Sequence, residues 1–259
     1  MHDDQTITTL SELARELGRP ERDWATLAEG NVSGRGTGGL VHVKASGAFM
    51  ANATDDDIVT VALADLLRLI DDPDAGDAEV AALFDAAAAS NGGRRPSVEA
   101  LLHAVCLEVP GVEVVGHTHP VAVNSLLCSV QADLLVRGAL FPDQIVVLGA
   151  DPMLVPYVDP GLALARTVRS LLRERTRPPR VIYLRNHGMF ALGATAADVV
   201  HITEMAVKVA RVLVGARSTG TVEFMDPAEV ARIDTRPDEL LRRASLAATA
   251  VLTDASTGP

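Results

Sequence analysis

Residues 112–120 read Val112-Glu113-Val114-Val115-Gly116-His117-Thr118-His119-Pro120, an apolar run that ends in two histidines one residue apart. Side chains alternate faces along a strand with period two, so a strand over Val112 to Val115 delivers His117 and His119 to the same side. Two imidazoles presented in this way are half of a metal site. Taken alone, the pair fits a surface or core histidine equally well, and it gains meaning only beside a third nitrogen ligand and a carboxylate.

Both are found by working outward. Val181 to Leu184 reads as a short buried strand, and it runs into Arg185-Asn186-His187-Gly188-Met189, where Asn and Gly let the backbone turn sharply around a histidine. Upstream, Ser97 is the natural N-cap of a helix that carries Leu101, Leu102 and Val105, which places Glu99 in the first turn, one turn from His103 on the same face. The helix dipole alone accounts for a carboxylate there, at less than about 1 kcal/mol. The same position lets Glu99 reach a metal site as ligand or base.

Two small, polar turns precede these motifs. Leu27-Ala28-Glu29-Gly30-Asn31-Val32-Ser33-Gly34-Arg35-Gly36 alternates glycine with short polar residues, and Ala45-Ser46-Gly47 ends a predicted strand over Leu40 to Lys44. Each is either a plain turn or part of a cradle for an anion or polyol. The first lacks the lysine pattern of a nucleotide-binding loop.

Elsewhere the pattern predicts a short surface helix over Leu10 to Leu17 capped by Thr8 or Thr9, and a strand over Ile58 to Leu63. Helices are expected over Ala64 to Ile70, Glu79 to Ala89, Val121 to Cys128, Pro160 to Arg173 and Thr195 to about Val214. Further strands are expected over Gln144 to Leu148 and Met153 to Val158, and one or two helices between Pro227 and Val251, before a frayed end at Asp254 to Pro259. His2, His42 and His201 are read as structural or exposed. Cys106 and Cys128 are read as small buried hydrophobes rather than nucleophiles.

The 259 residues carry a net charge of −11, which argues against a nucleic-acid partner because no basic field is present to neutralise phosphates. No apolar run approaches the roughly 20 residues of a membrane helix, and the start lacks the features of a signal peptide, so a cytoplasmic protein is expected. Aromatics are only 3% of the chain, leaving Ala, Val, Leu and Ile to build the core. A mean hydropathy of +0.21 leans toward an oligomer that buries apolar surface between subunits.

In order, the chain shows Gly-Asn-Val-Ser at 30–33, Ala-Ser-Gly at 45–47, Pro-Ser-Val-Glu at 96–99, His-Thr-His-Pro at 117–120 and Asn-His-Gly at 186–188. This series resembles the class II aldolase/adducin superfamily, in particular aldolase domains of the fuculose- and rhamnulose-phosphate type. The resemblance implies an α/β fold of three layers, α/β/α, with a predominantly antiparallel central sheet. It also implies a single domain over residues 1–259, of which 226–259 would be a C-terminal helical extension and tail. His117, His119 and His187 would ligate a divalent metal, zinc first and manganese, cobalt or iron as alternatives. Glu99 would be the resting fourth ligand or the general base, and Gly30, Asn31, Ser46, Gly47 and Ser97 would bind the substrate.

The implied reaction is aldol cleavage of a keto sugar, its phosphate, or a hydroxy-keto acid through a metal-stabilised enediolate, in a homotetramer with the site near a subunit interface. A decarboxylase, a 4-epimerase and a non-haem iron oxygenase are alternatives on the same scaffold, and an adducin-like assembly protein is the non-enzymatic one. Two departures bear on the substrate. The stretch Gly138 to Asp143 lacks the proton-donating tyrosine of fuculose-phosphate aldolase, with Tyr157 and Asp143 the nearest substitutes. Val98 and Ala28 stand where that relative has a phosphate-binding serine and a threonine, leaving Arg35, Arg94 or Arg95 to compensate.

Overall fold

The computed structural model describes residues 2–239 and 241. The helix expected up to Val251 therefore lies only partly within the described residues, and the frayed end at Asp254 to Pro259 lies outside them.

Seven strands form one sheet: β1 (Asn31–Arg35), β2 (Leu40–Lys44), β3 (Ile58–Ala62), β4 (Val114–Thr118), β5 (Met153–Val155), β6 (Val181–Leu184) and β7 (Gly188–Gly193). Their order across the sheet is β3-β2-β1-β4-β7-β6-β5, and every neighbouring pair is antiparallel except β5 with β6. Helices α1 (His2–Leu17), α2 (Leu63–Asp71), α3 (Asp77–Ser90), α4 (Ala100–Leu107) and α5 (Val121–Leu127) come from the first half of the chain. The second half supplies α6 (Pro142–Leu148), α7 (Leu162–Arg173), α8 (Ala196–Thr219) and α9 (Pro227–Thr235).

Alternation along the strands divides the core into two layers. Ile182, Leu184, Phe190 and Leu192 face one cluster with α2, α3, α4 and α7, whereas Val181, Tyr183, Met189 and Ala191 face a second with α1, α5 and α8. The expected three-layer α/β/α arrangement with a mostly antiparallel sheet is thus present. Gly116 marks the tightest approach of the second layer, since a Cβ there would lie 2.4 Å from Val199 Cγ1. No helix among the described residues is long and apolar enough to cross a membrane.

Several local expectations change: among them, the strand expected over Met153 to Val158 ends at Val155, and the helix expected to about Val214 runs to Thr219. Residues 144–148 form the helix α6 rather than a strand: Pro142 sits at the helix start, Gly149 ends it at φ 77°, and Gln144, Ile145, Val146 and Leu148 are buried around it. The caps and the packing override the β-branched composition. The N-terminal helix is longer than Leu10 to Leu17, and it is a packed element rather than a surface one, with Leu10, Ala14 and Leu17 fully buried. Residues 31–35, read as a turn, are strand β1. Cys128 is exposed, while Cys106 is buried as expected and burial pushes its thiol pKa up.

Candidate metal centre

β4 carries His117 at 0% exposure on the face turned toward α4, the same face as Val115 in the core. Its register places Asn31 of β1 on one side and Phe190 of β7 on the other. His119 lies just past the strand end, where its backbone N–H donates to the Trp24 carbonyl at 2.7 Å. His187 enters from the turn between β6 and β7, whose preceding residue Asn186 takes φ 55°, a left-handed conformation that Asn tolerates. Asn124 of α5 donates to the His187 carbonyl at 2.9 Å and fixes that turn.

The three histidines converge, with one ring nitrogen from each lying within 4.8 Å of the others. His117 Nδ1 faces the Met189 carbonyl at 2.9 Å and donates to it, which turns Nε2 toward the other rings. His119 Nδ1 faces the Glu29 carboxylate at 3.0 Å in the same sense, and the two Nε2 atoms then meet at 2.9 Å. Facing lone pairs repel unless a cation or a shared proton lies between them. Gly188 is required here, because a Cβ would stand 2.5 Å from His119 Cδ2.

Glu99 closes the group. Its Oε1 is 3.1 Å from Nε2 of both His117 and His187, and its side chain is only 12% exposed. Burial by itself would raise the Glu99 pKa, but His117 and His187 outweigh that effect and hold the carboxyl well below the usual carboxylate range. Burial, reinforced by His117, lowers His119 to about 4 in spite of Glu29, so its imidazole is neutral and available as a ligand. The helix begins at Ala100, one position after Glu99, which therefore occupies the N-cap position rather than the first turn. Ser97 Oγ accepts from Glu99 N at 3.3 Å and shapes that entry.

Of the five residues expected to bind substrate, Gly30 and Asn31 lie beside His117 and Ser97 beside Glu99. Gly30 takes φ 78° at a point where a Cβ would stand 3.1 Å from the His117 carbonyl oxygen, and Asn31 is buried with Oδ1 lacking a hydrogen-bond partner. An antiparallel bridge between Ala45 and Pro96, with Ser46 N donating to the Arg95 carbonyl at 2.9 Å, sets the exposed Ser46-Gly47 turn beside Ser97. Lys44 is buried beneath that turn, donating to the carbonyls of Ala45 at 3.3 Å and Ala48 at 2.5 Å. Burial draws its ammonium down to about 8 against the pull of Glu99 and Asp57.

The arginines offered as phosphate ligands are committed elsewhere. Arg35 donates to the Leu107 carbonyl at the far end of α4, Arg94 pairs with Asp57, and Arg95 pairs with Asp85 at 3.0 Å. Tyr157 is exposed and donates to Asp159 at 2.9 Å, while Asp143 lines a separate cavity of about 800 Å³ with Trp24, His201 and Lys208. Sequence reasoning missed Glu29, Lys44 and Phe190. Glu29 is 90 residues from its histidine, so no spacing could have linked them.

The arrangement of three histidines and a carboxylate on this sheet is accompanied by a match of the sequence as a whole. The profile of the Class II Aldolase and Adducin N-terminal domain matches residues 8–214, and the chain belongs to that family. Among solved structures it is similar to YgbL from Klebsiella pneumoniae, described as a putative aldolase/epimerase/decarboxylase. That likeness has a TM-score of 0.68 and 21% identity, covering 90% of this chain and 99% of that one. It is also similar to an L-fuculose 1-phosphate aldolase, with a TM-score of 0.66 and 19% identity over 89% of this chain and 94% of that one. The class II aldolase domain of a Thermoplasma acidophilum protein gives 0.64 and 22% identity, over 80% and 93%. At such identities the likeness is one of fold. No match is found among curated proteins.

Proposed function

We propose that this protein is a metal-dependent aldehyde-lyase that cleaves the bond between the α and β carbons of a keto sugar, its phosphate, or a hydroxy-keto acid. The observation that carries this reading is the placement of one Glu99 oxygen 3.1 Å from two of three converging imidazoles. The donor set fits a divalent cation: three neutral nitrogens and a carboxylate suit zinc first, and manganese, cobalt or iron after it. His117, His119 and His187 would hold such an ion, which would supply Lewis acidity toward the substrate carbonyl.

The chain's own residues do the rest. Glu99, ionised at its low pKa, accepts the proton of the β-hydroxyl as the carbon–carbon bond breaks, and returns a proton to the carbon left behind. Asn31, with its free Oδ1, and the Gly30 backbone orient the substrate from β1, and the Ser46-Gly47 turn with Ser97 receives its far end. The wider reading is a single domain over residues 1–259 assembled as a cytoplasmic homotetramer acting in carbohydrate metabolism. Decarboxylation is the second reading. It is favoured by the surroundings of the chain's two tyrosines: Tyr183 is buried in the opposite layer, and Tyr157 is bound to Asp159. Loss of carbon dioxide needs no residue to take up or return the proton of a β-hydroxyl.

The test is metal-loaded protein with a panel of keto sugars, their phosphates and hydroxy-keto acids, scored for aldehyde and for carbon dioxide. Glu99→Gln should keep the fold and lower turnover by about 10²–10⁴-fold. Survival of turnover removes Glu99 as the base, and carbon dioxide without aldehyde selects the second reading.

A further inference from the structure

His103 is a buried titratable side chain beside the centre that the proposed chemistry leaves without a task. It lies one turn after Glu99 on α4 at 0% exposure, and its backbone N–H donates to the Glu99 carbonyl at 3.0 Å. Nδ1 is 2.7 Å from Ser33 Oγ on β1, whereas Nε2 has no hydrogen-bond partner. Every residue of α4 is buried, and the others are Ala, Leu, Val and Cys, so a leucine would serve the packing. A buried polar atom left unpaired costs about 1–3 kcal/mol, while replacing the bonded pair by apolar groups of similar shape is close to neutral. Packing therefore does not account for the histidine.

Its contacts do. Through Ser33 it ties α4 to β1, in the register that sets Ser33 opposite Val115 and Asn31 opposite His117 on β4. Its ring meets Phe190 edge-on, with centroids 5.1 Å apart and planes at 61°. Phe190 in turn stacks on His117 at 4.2 Å and 18°. One imidazole thus fastens the helix that follows the carboxylate to β1 and meets the ring stacked on His117.

We propose that His103, together with Ser33, is a positioning residue that sets Glu99 against the histidine triad and holds Phe190 flat on His117. The inference rests on the metal-centre reading above. Outer groups of this kind change metal affinity without touching the ion, typically by about 10–100-fold.

The experiment compares the wild type with His103→Leu, Ser33→Ala and His103→Gln by Co²⁺ titration, visible absorption of the Co²⁺ form, and thermal midpoint. His103→Leu should keep its midpoint near the wild type, weaken Co²⁺ binding by about 10–100-fold and alter the absorption bands. Ser33→Ala should shift both readouts in the same direction by less, and His103→Gln, which can still bond Ser33, should recover part of the loss. If His103→Leu does not fold, Ser33→Ala decides, since it removes one oxygen and leaves the ring in place. Unchanged affinity and absorption in a folded variant overturn the proposal. If the wild type takes up no Co²⁺, the metal reading fails instead, and the ring-proton NMR signals of His117 in metal-free protein decide the brace. A shift of those signals in Ser33→Ala supports it, and no shift overturns it.

Discussion

His42 and His117 sit on strands of the same sheet, each at 1% exposure or less, yet their nitrogens face different things. His42 on β2 has Nδ1 2.9 Å from Thr60 Oγ1 and Nε2 3.3 Å from Asp3 Oδ1. Both of its nitrogens are answered by an oxygen, and the corner is closed. His117 on β4 spends Nδ1 on a carbonyl and turns Nε2 toward His119 and Glu99. Burial and hydrogen bonding do not separate a structural histidine from a ligating one. Convergence of ring nitrogens on one point is what sets His117 apart.

The largest effect expected from this contrast is loss of the ion itself. His117→Ala should take purified protein from about one divalent ion per chain to none retained after dialysis, whereas His42→Ala should keep the ion and lose about 1–3 kcal/mol of stability. Metal analysis beside denaturant unfolding reads both, and equal metal contents in the two variants would break the contrast. A smaller effect belongs to Glu29, whose carboxylate orients His119 from outside: Glu29→Gln should weaken metal binding by about 10–100-fold with the stoichiometry unchanged, as measured by calorimetry.

The smallest effect is the pH dependence of the metal-free protein. His119 has a folded-state pKa of about 4 against an ordinary 6.5, so the unfolded chain takes up a proton that the folded chain refuses. Stability then rises with pH across that window and is lost as pH falls from 6.5 toward 4. His103, lowered to about 3 chiefly by burial, adds to the same slope. Denaturant midpoints of chelator-treated protein should follow it, and His119→Leu should flatten it in part. A slope that His119→Leu leaves untouched would place the titration elsewhere.

Much of the architecture was legible where residue choice and environment agree. The extents of α2 and α3 follow periodicity to within a residue or two, and the capping box of Thr195 with Asp198 is present as read, although α8 runs on to Thr219, past the expected end near Val214. Legibility failed where the site itself sets the composition. β1 reads as a turn because Asn31 and Ser33 aim polar groups at the centre, and Gly34 lies against Leu10 of α1. α6 failed for the opposite reason, since its apolar, β-branched run suits either helix or strand, and only Pro142, Gly149 and burial choose between them.

The chain by itself determined the family, because its short motifs of glycine, asparagine, serine and histidine follow one another in an order that can be read locally. Tertiary structure alone decided which nitrogens are free, that Glu29 stands behind His119, that Phe190 and His103 back His117, and that three arginines are committed elsewhere. Each of those facts depends on strand register and helix placement, which bring together residues that share no local pattern.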